Sequence, residues 1–316
     1  MVRFTVLASG SKGNSTVVTG GRTRILIDAG LSCRELFRRM RAVGEDPETL
    51  QGILITHEHA DHVNGIVVTA RKLGIPVYFT EATHRAWMRW LTPRRQMSYT
   101  QWLEKMRQEK AAAPEEGEIA PEEQVEETSV AVATAEDPTP LPTGKQDPVW
   151  LPKVEYFAPG EPFSIGDLIV NPFTTPHDAA DPCGFVLESE GIRMGYATDL
   201  GYMPPNVKQQ LKSLNLLLLE SNHDPEMLRD GPYPWAVKQR VLSRVGHLSN
   251  NSVAEFLKGD YDRSAEVVIL AHLSESNNLP ELAHLSASQA LNTHGQLFAN
   301  QLLVASQQEP LQSILF

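Results

Sequence analysis

The chain has 316 residues, 41% of them apolar, and a formal net charge of −11. That composition supports a buried core and excludes a disordered chain. Two cysteines, Cys33 and Cys183, exclude a disulfide framework, and the densest apolar run, residues 214–219, is far short of the roughly 20 residues that span a bilayer.

The charge is uneven. Residues 111–147 hold ten acidic side chains and one basic one, a net −9, which leaves −2 for the rest of the chain. The body is therefore nearly neutral, and local patches matter more than the total. The N-terminal Met1-Val-Arg-Phe-Thr-Val-Leu reads as a first strand rather than a signal peptide. With no disulfide framework, the expectation is a cytoplasmic protein with no membrane association.

In chain order, strands are predicted at 4–7, 16–19 and 24–27, with a tight turn at Gly20-Gly21. Leu31, Leu36, Phe37 and Met40 recur at helical spacing behind Ser32, a capping residue. The apolar run 53–55 is a short buried strand that feeds Thr56-His57-Glu58-His59-Ala60-Asp61-His62. A helix at 63–73, a strand at 76–79 and a helix near 81–91 follow. From about 105 to 150, Ala, Glu, Pro and Thr dominate. Such a stretch reads as a flexible acidic insertion in a single domain. Strands return at 154–157, 168–173, 183–189 and 192–198. Then come a helix near 204–213, a strand at 215–219, helices near 234–244 and 249–258, a strand at 267–270, a helix near 281–295 and a final strand pair. The alternation implies a layered α/β architecture around one core.

His57-x-His59-x-Asp61-His62 places four metal-capable side chains within six residues, directly after a buried strand. Alternate residues at a strand end point the same way, so His57 and His59 can share one ion, while Asp61 and His62 on the turn can reach a second. His177, Asp199 and His272 each follow a predicted strand. Ligands delivered at several strand ends are how a layered sheet protein builds a site at one rim.

This order of ligands resembles the metallo-β-lactamase superfamily. The flanking motifs Leu7-Ala-Ser-Gly-Ser-Lys-Gly-Asn-Ser-Thr16, His177-Asp-Ala-Ala-Asp-Pro182, Glu220-Ser-Asn-His-Asp224, Gly246-His-Leu-Ser-Asn250 and Ala271-His-Leu-Ser-Glu-Ser-Asn-Asn278 are similar to the YycJ/WalJ-type exonucleases, a branch related to the ribonuclease Z group. The resemblance spans nearly the whole chain except the acidic stretch. It implies a four-layer αββα sandwich and two divalent ions, Mn²⁺ or Zn²⁺. His57, His59 and His177 would hold one ion and Asp61, His62 and His272 the other, with Asp199 bridging. It also implies catalytic roles for Asp61 and for His247 at the leaving group, with His223 supporting them.

Two such ions suit hydrolysis of a phosphodiester, but also of a thioester or lactam, so the motif alone leaves the substrate open. Four features bear on it. The loop Ser9-Gly-Ser-Lys-Gly-Asn-Ser15 could hold a phosphate through Ser11, Lys12, Asn14 and its backbone N–H groups, or be a plain turn. Ser249 and Asn250 offer phosphate contacts or a helix cap. Residues 84–107 interleave Trp87, Trp90, Tyr99 and Trp102 with Arg85, Arg89, Arg94, Arg95, Lys105 and Arg107. That pattern suits a single-stranded nucleic acid or an amphipathic helix with a capping loop. Cys183, on a strand near His177, is expected to be buried and no ligand.

The leading expectation is a 5′-to-3′ DNA exonuclease with a repair role, DNA ranking ahead of RNA. The alternatives are a phosphodiesterase for RNA ends or small cyclic phosphodiesters, and an interaction module recruited to a protein partner through the acidic insertion. That insertion could also gate the groove by mimicking nucleic acid.

Overall fold

A computed structural model describes residues 1–91, 149–292 and 301–316. Most of the acidic insertion lies outside the described residues, as do Arg94, Arg95, Tyr99, Trp102, Lys105 and Arg107 of the basic aromatic segment.

Two seven-stranded mixed sheets carry the fold. The first contains β1 (Arg3–Ala8), β2 (Ser15–Gly20), β3 (Thr23–Ile27), β4 (Gly52–Leu54), β5 (Pro76–Phe79), β6 (Lys153–Tyr156) and, at its other edge, β14 (Ile314–Leu315). The second contains β7 (Phe163–Ile165), β8 (Leu168–Thr174), β9 (Cys183–Ser189), β10 (Ile192–Ala197), β11 (Leu216–Glu220), β12 (Val267–Ala271) and β13 (Gln301–Val304). Their order runs β14-β1-β2-β3-β4-β5-β6 and β13-β12-β11-β10-β9-β8-β7.

The period-2 alternation of each strand decides the layering. Phe4, Val6, Val18, Ile25, Ile27 and Leu54 of the first sheet form one apolar cluster with Val170, Phe185, Leu187, Tyr196, Leu218 and Ile269 of the second. The sheets therefore pack face to face. The opposite faces are covered by helices. Val17, Leu26 and Ile53 meet α1 (Cys33–Ala42), α3 (Ile66–Leu73) and α4 (Glu81–Leu91). Leu217, Leu219, Val268 and Leu270 meet the helices Pro205–Gln210, Asn250–Gly259 and Pro280–Asn292. Three apolar interfaces thus separate four layers, the expected αββα order. Each fully buried Leu or Ile in them contributes about 1.5–3 kcal/mol.

Local signals hold where they have a physical cause. Ser32 caps α1, its hydroxyl accepting from the Glu35 N–H. The β2–β3 turn centres on Gly21-Arg22, one residue later than expected, because Gly20 still pairs with Thr23 and Gly21 takes φ 59°. The helix expected at 63–73 splits into α2 (Ala60–Val63) and α3, so Asp61 and His62 sit on helical turns. The final strands do not pair with one another. β13 runs parallel to β12 and β14 antiparallel to β1, so the C-terminal segment ties the two sheets together. Strand Phe163–Ile165 and helix Pro225–Asp230 were not anticipated, being only 3 and 6 residues long.

Candidate metal centre

The carboxyl ends of β4, β8, β10, β11 and β12 converge on one rim. They deliver His57-to-His62, His177, Asp199, Glu220 and His272. Three residues at this rim take left-handed backbone conformations that non-glycine residues rarely adopt: Asp28 (φ 57°), Asp199 (φ 61°) and His272 (φ 56°). Each directly follows or nearly follows a strand, and the turn swings its side chain off the sheet toward the site. Strain of this kind persists where the surroundings over-determine it, commonly at functional sites.

The sequence-predicted ligands come together in two groups. His57, His59 and His177 bring donor atoms within 4.8 Å of one another, and so do Asp61, His62 and His272. Asp199 lies between them. Its Oδ1 is 3.8 Å from His177 Nε2 and 3.6 Å from His272 Nε2, and its Oδ2 is 3.5 Å from His62 Nε2.

The outer nitrogens of four of these imidazoles are fixed. His62 Nδ1 faces Asp28 Oδ2 at 2.8 Å, His177 Nδ1 faces the Gly246 carbonyl at 3.0 Å, and His272 Nδ1 faces Glu220 Oε1 at 3.3 Å. His57 Nδ1 faces the Thr56 hydroxyl at 3.0 Å, and that hydroxyl is held by Asp28. Hydrogen-bonded outer nitrogens are the usual support of metal-ligating histidines.

The inward atoms fit a cation. His57 Nε2 and Asp199 Oδ2 are buried and have no hydrogen-bond partner among the described residues, a costly state unless an ion completes it. Burial lowers His57, His59 and His177, which keeps them neutral, the form that binds metal. Burial also disfavours charge on His62 and His272. The carboxylates Asp61, Asp28 and Asp199 outweigh it and raise His62 well above its ordinary value, while Asp199, Asp61 and Glu220 bring His272 to about 10. That spot demands positive charge, which protons or a cation can supply. Five imidazoles and two carboxylates suit zinc or manganese.

Residues around the ligands hold them. Glu220 is fully buried. Its Oε1 accepts from His247 Nδ1 at 2.6 Å, and its Oε2 accepts from the backbone N–H of Leu200 and Leu248. Burial raises the Glu220 carboxyl, but His247 and His272 bring it down to about 2. Asn14 donates to Asp61 Oδ2 at 3.1 Å, its N–H reaches the Asp61 carbonyl at 2.7 Å, and its own carbonyl accepts from Gly30. Glu58 accepts from the Ala180 N–H, linking the first histidine cluster to the loop after His177. Sequence reasoning passed over Asp28 and Glu220 as site residues, although both stand at strand ends as the ligands do.

The expected substrate residues divide. Ser11 lines the cleft over the site. Lys12 is exposed and paired with Glu275. Asn14 is buried against Asp61 and does not line the cleft. The loop's backbone N–H groups are largely spent. Ser9, Gly10, Lys12, Gly13 and Asn14 donate respectively to the Ser306 carbonyl, Asn14 Oδ1, Gln307 Oε1, the Gly10 carbonyl and the Asp61 carbonyl. Ser249 caps the following helix through the Ser252 N–H. Asn250 is buried, bonded to Ser221 and Asn278. His223 is buried with both ring nitrogens unpartnered among the described residues, and burial lowers it to about 4. His247 reaches the cleft. Cys183 is buried, and burial pushes its thiol up.

The cleft holds about 1300 Å³. Its floor includes His59, Asp61, Asp199, His247 and His272.

Comparison with known proteins agrees with this geometry. Residues 8–216 match the family model described as Metallo-beta-lactamase superfamily. The chain is 32% identical over 281 residues to the exodeoxyribonuclease YycJ of Bacillus anthracis, covering 89% of this chain and 86% of that protein. It is 30% identical over 280 residues to the exodeoxyribonuclease WalJ of Streptococcus pneumoniae serotype 2, covering 89% and 84%. Among solved structures, the metallo-beta-lactamase fold protein YhfI from Bacillus subtilis superposes with a TM-score of 0.61 at 12% identity, covering 98% of each chain. The chain belongs to the metallo-β-lactamase superfamily and is a hydrolase of that group.

Proposed function

We propose that this member of the metallo-β-lactamase superfamily is a two-metal phosphodiesterase that degrades DNA from the 5′ end, in the cytoplasm and in a repair setting. The observation that carries the reading is the shared carboxylate Asp199, placed between two groups of three ligands at the floor of an open cleft. The relatives named exodeoxyribonucleases support a nucleic-acid substrate, taken in this reading to be DNA. A wide cleft suits a polymer better than a small cyclic phosphodiester.

In this reading His57, His59 and His177 would hold one ion and Asp61, His62 and His272 the other, with Asp199 shared between them. Zn²⁺ or Mn²⁺ would suit both groups. Ions so held would lower the pKa of water and neutralise charge on a phosphate. Asp61, oriented by Asn14, takes up the proton released at the attacking side. His247 gives its Nδ1–H to Glu220, which fixes the ring and leaves Nε2 to protonate the departing sugar oxygen. His223 supports the strand end behind them. The acidic residues 111–147 serve as a docking segment for a protein partner, a reading that rests on their charge alone.

The test is hydrolysis of end-labelled DNA and RNA, single- and double-stranded, by metal-free protein resupplied with Mn²⁺ or Zn²⁺, beside an Asp61→Ala control. Stepwise nucleotide release from the 5′ end of DNA, absent in the control, is expected. No cleavage of any polymer under either metal overturns the reading.

A further inference from the structure

Arg240 stands on the short helix Trp235–Val241, in which only Lys238 is buried. Its guanidinium reaches back to the loop after His177. Nε and one terminal nitrogen donate to the two carboxylate oxygens of Asp178, the second at 3.0 Å. Asp178 follows the ligand candidate His177, and its Oδ1 lies 3.3 Å from His177 Nε2. The Asp178 N–H donates to the Val245 carbonyl, and the His247 N–H donates to the Val241 carbonyl. The helix and the turn behind it are therefore tied to both His177 and His247. Arg240 lines the cleft together with His59, Asp61 and His247.

As a source of stability this ion pair is worth little, since 56% of the arginine side chain stays in solvent. Its geometry matters more. A carboxylate gripping Nε–H and one terminal N–H fixes the plane of the fork and leaves three of its five N–H donors. The remaining terminal nitrogen, Nη1, has no partner among the described residues. The bond to Asp178 raises the guanidinium, and the charge of Asp61 on the floor adds to this. A planar donor group held still on the wall of a hydrolytic cleft matches the oxygens of a phosphate. Because the side chain is already fixed, little further rotamer freedom is lost when the anion arrives. The neighbouring cations Arg229, Lys238 and Arg244 do not line the cleft.

We propose that Arg240 binds a phosphate of the substrate beside the one being cleaved, with Asp178 holding the guanidinium in place. This rests on the nuclease reading above and adds to it a residue that sets where the strand lies over the floor ligands. The phosphate is either the next internal linkage or one carried on the 5′ terminus, and the two are separated by the substrates below.

The experiment compares wild type, Arg240→Ala and Arg240→Lys on DNA oligonucleotides that differ in one phosphate. Each oligonucleotide carries a neutral methylphosphonate at the second or third linkage, or a 5′-hydroxyl in place of a 5′-phosphate. Release of the first nucleotide is followed with Mn²⁺ to give KM and kcat. Binding of the unsubstituted oligonucleotide is followed against salt by anisotropy in the Asp61→Ala background. In the wild type, neutralising one of these positions is expected to raise KM by about ten- to a hundredfold, the worth of a hydrogen bond to a charged group. Arg240→Ala raises KM for the unsubstituted oligonucleotide by a similar factor and no longer responds to that position. Its slope of log affinity against log salt falls by about one. Arg240→Lys restores the slope but only part of KM, because it supplies the charge without the fork. The position that falls silent in Arg240→Ala identifies the phosphate as internal or terminal. A variant that loses turnover yet keeps the wild-type response to every substituted phosphate overturns the proposal and makes Arg240 a structural tie, while the nuclease reading stands. An unaltered KM and salt slope in Arg240→Ala overturns it equally. A wild type that degrades no polymer overturns that reading and the proposal with it.

Discussion

Glu220 and His247 are joined by a 2.6 Å contact between Oε1 and Nδ1, and the carboxylate making it has no exposed surface. The same oxygen lies 3.3 Å from Nδ1 of His272. One buried carboxylate therefore orients a cleft histidine and a metal-ligand candidate together. Glu220→Gln should lower both metal affinity and DNA hydrolysis by about 10–100-fold with the circular dichroism spectrum retained. His247→Ala should lower hydrolysis and leave metal affinity unchanged. Calorimetric metal titration beside steady-state assays separates the two, and an unchanged affinity in Glu220→Gln contradicts this role.

The proposed task of His247 is to protonate a poor leaving group. Its loss should then depend on the substrate. His247→Ala is expected to slow DNA hydrolysis by about 10²–10⁴-fold. It should spare bis(p-nitrophenyl) phosphate, whose nitrophenolate leaves without a proton. Equal losses on both substrates would assign His247 to binding the phosphate instead.

Gly30 is required by close approach. A Cβ there would lie 1.7 Å from the Asp61 carbonyl oxygen and 2.6 Å from the Asn14 nitrogen. Gly30→Ala must push the Asp61 turn away from the rim. We expect a destabilisation of about 1–3 kcal/mol and weakened metal binding at the group that contains Asp61. Denaturant unfolding and metal titration of the variant check both, and wild-type values in each contradict the packing argument.

Two neighbouring tryptophans should behave oppositely in stability. Trp87 is 2% exposed within the core, and Trp87→Ala should cost about 3–5 kcal/mol. Trp90 is largely in solvent, and Trp90→Ala should change stability by no more than about 0.5 kcal/mol. Urea midpoints of the two variants are a direct comparison.

Acid should weaken the fold partly through His84. Its ring is buried against Phe79 and Trp87 and bonded to the Tyr156 hydroxyl at 2.8 Å. Burial lowers it to about 4 from 6.5. Between those values the unfolded chain binds more protons than the folded one, so the stability from neutral His84 is full above about 6.5. It is lost as pH falls toward 4, on the order of 3 kcal/mol in all. His84→Phe should show a shallower fall in unfolding free energy over that window than the wild type. Parallel curves for the two proteins would rule His84 out.

Much of the site was legible as a string. His57, His59, Asp61 and His62 are close in sequence, and a strand followed by a turn fixes their directions by local geometry alone. The runs around Phe4–Leu7 and Arg24–Ile27 read as strands for the same reason, but Leu7 and Leu26 are as apolar as Val6 and Ile25, so which face meets the other sheet was left to the tertiary structure. The gathering of His177, Asp199 and His272 at one rim was an expectation from strand ends. The pairing of the sheets is what turns it into distances.

Other features depended on contacts between residues far apart. Asp28 and Glu220 support the ligands from 34 and 52 positions away from His62 and His272 respectively, and no periodicity encodes such a pair. Ser11 and Asn14 sit three residues apart in one loop, yet one meets the cleft and the other Asp61. Residues 84–90 read as one run of aromatic and basic residues, and only packing against Phe79 divides Trp87 from Trp90. The final strands separated for a related reason. Each carries apolar residues that either sheet could accept, so their partners were set by which edge lay open. The sequence by itself determined the ligand types, their order and the places of most strands, since these follow from chain-local patterns. Only the tertiary structure decided which polar groups support the ligands and which side chains meet substrate, because those depend on burial and on the relative placement of distant strands.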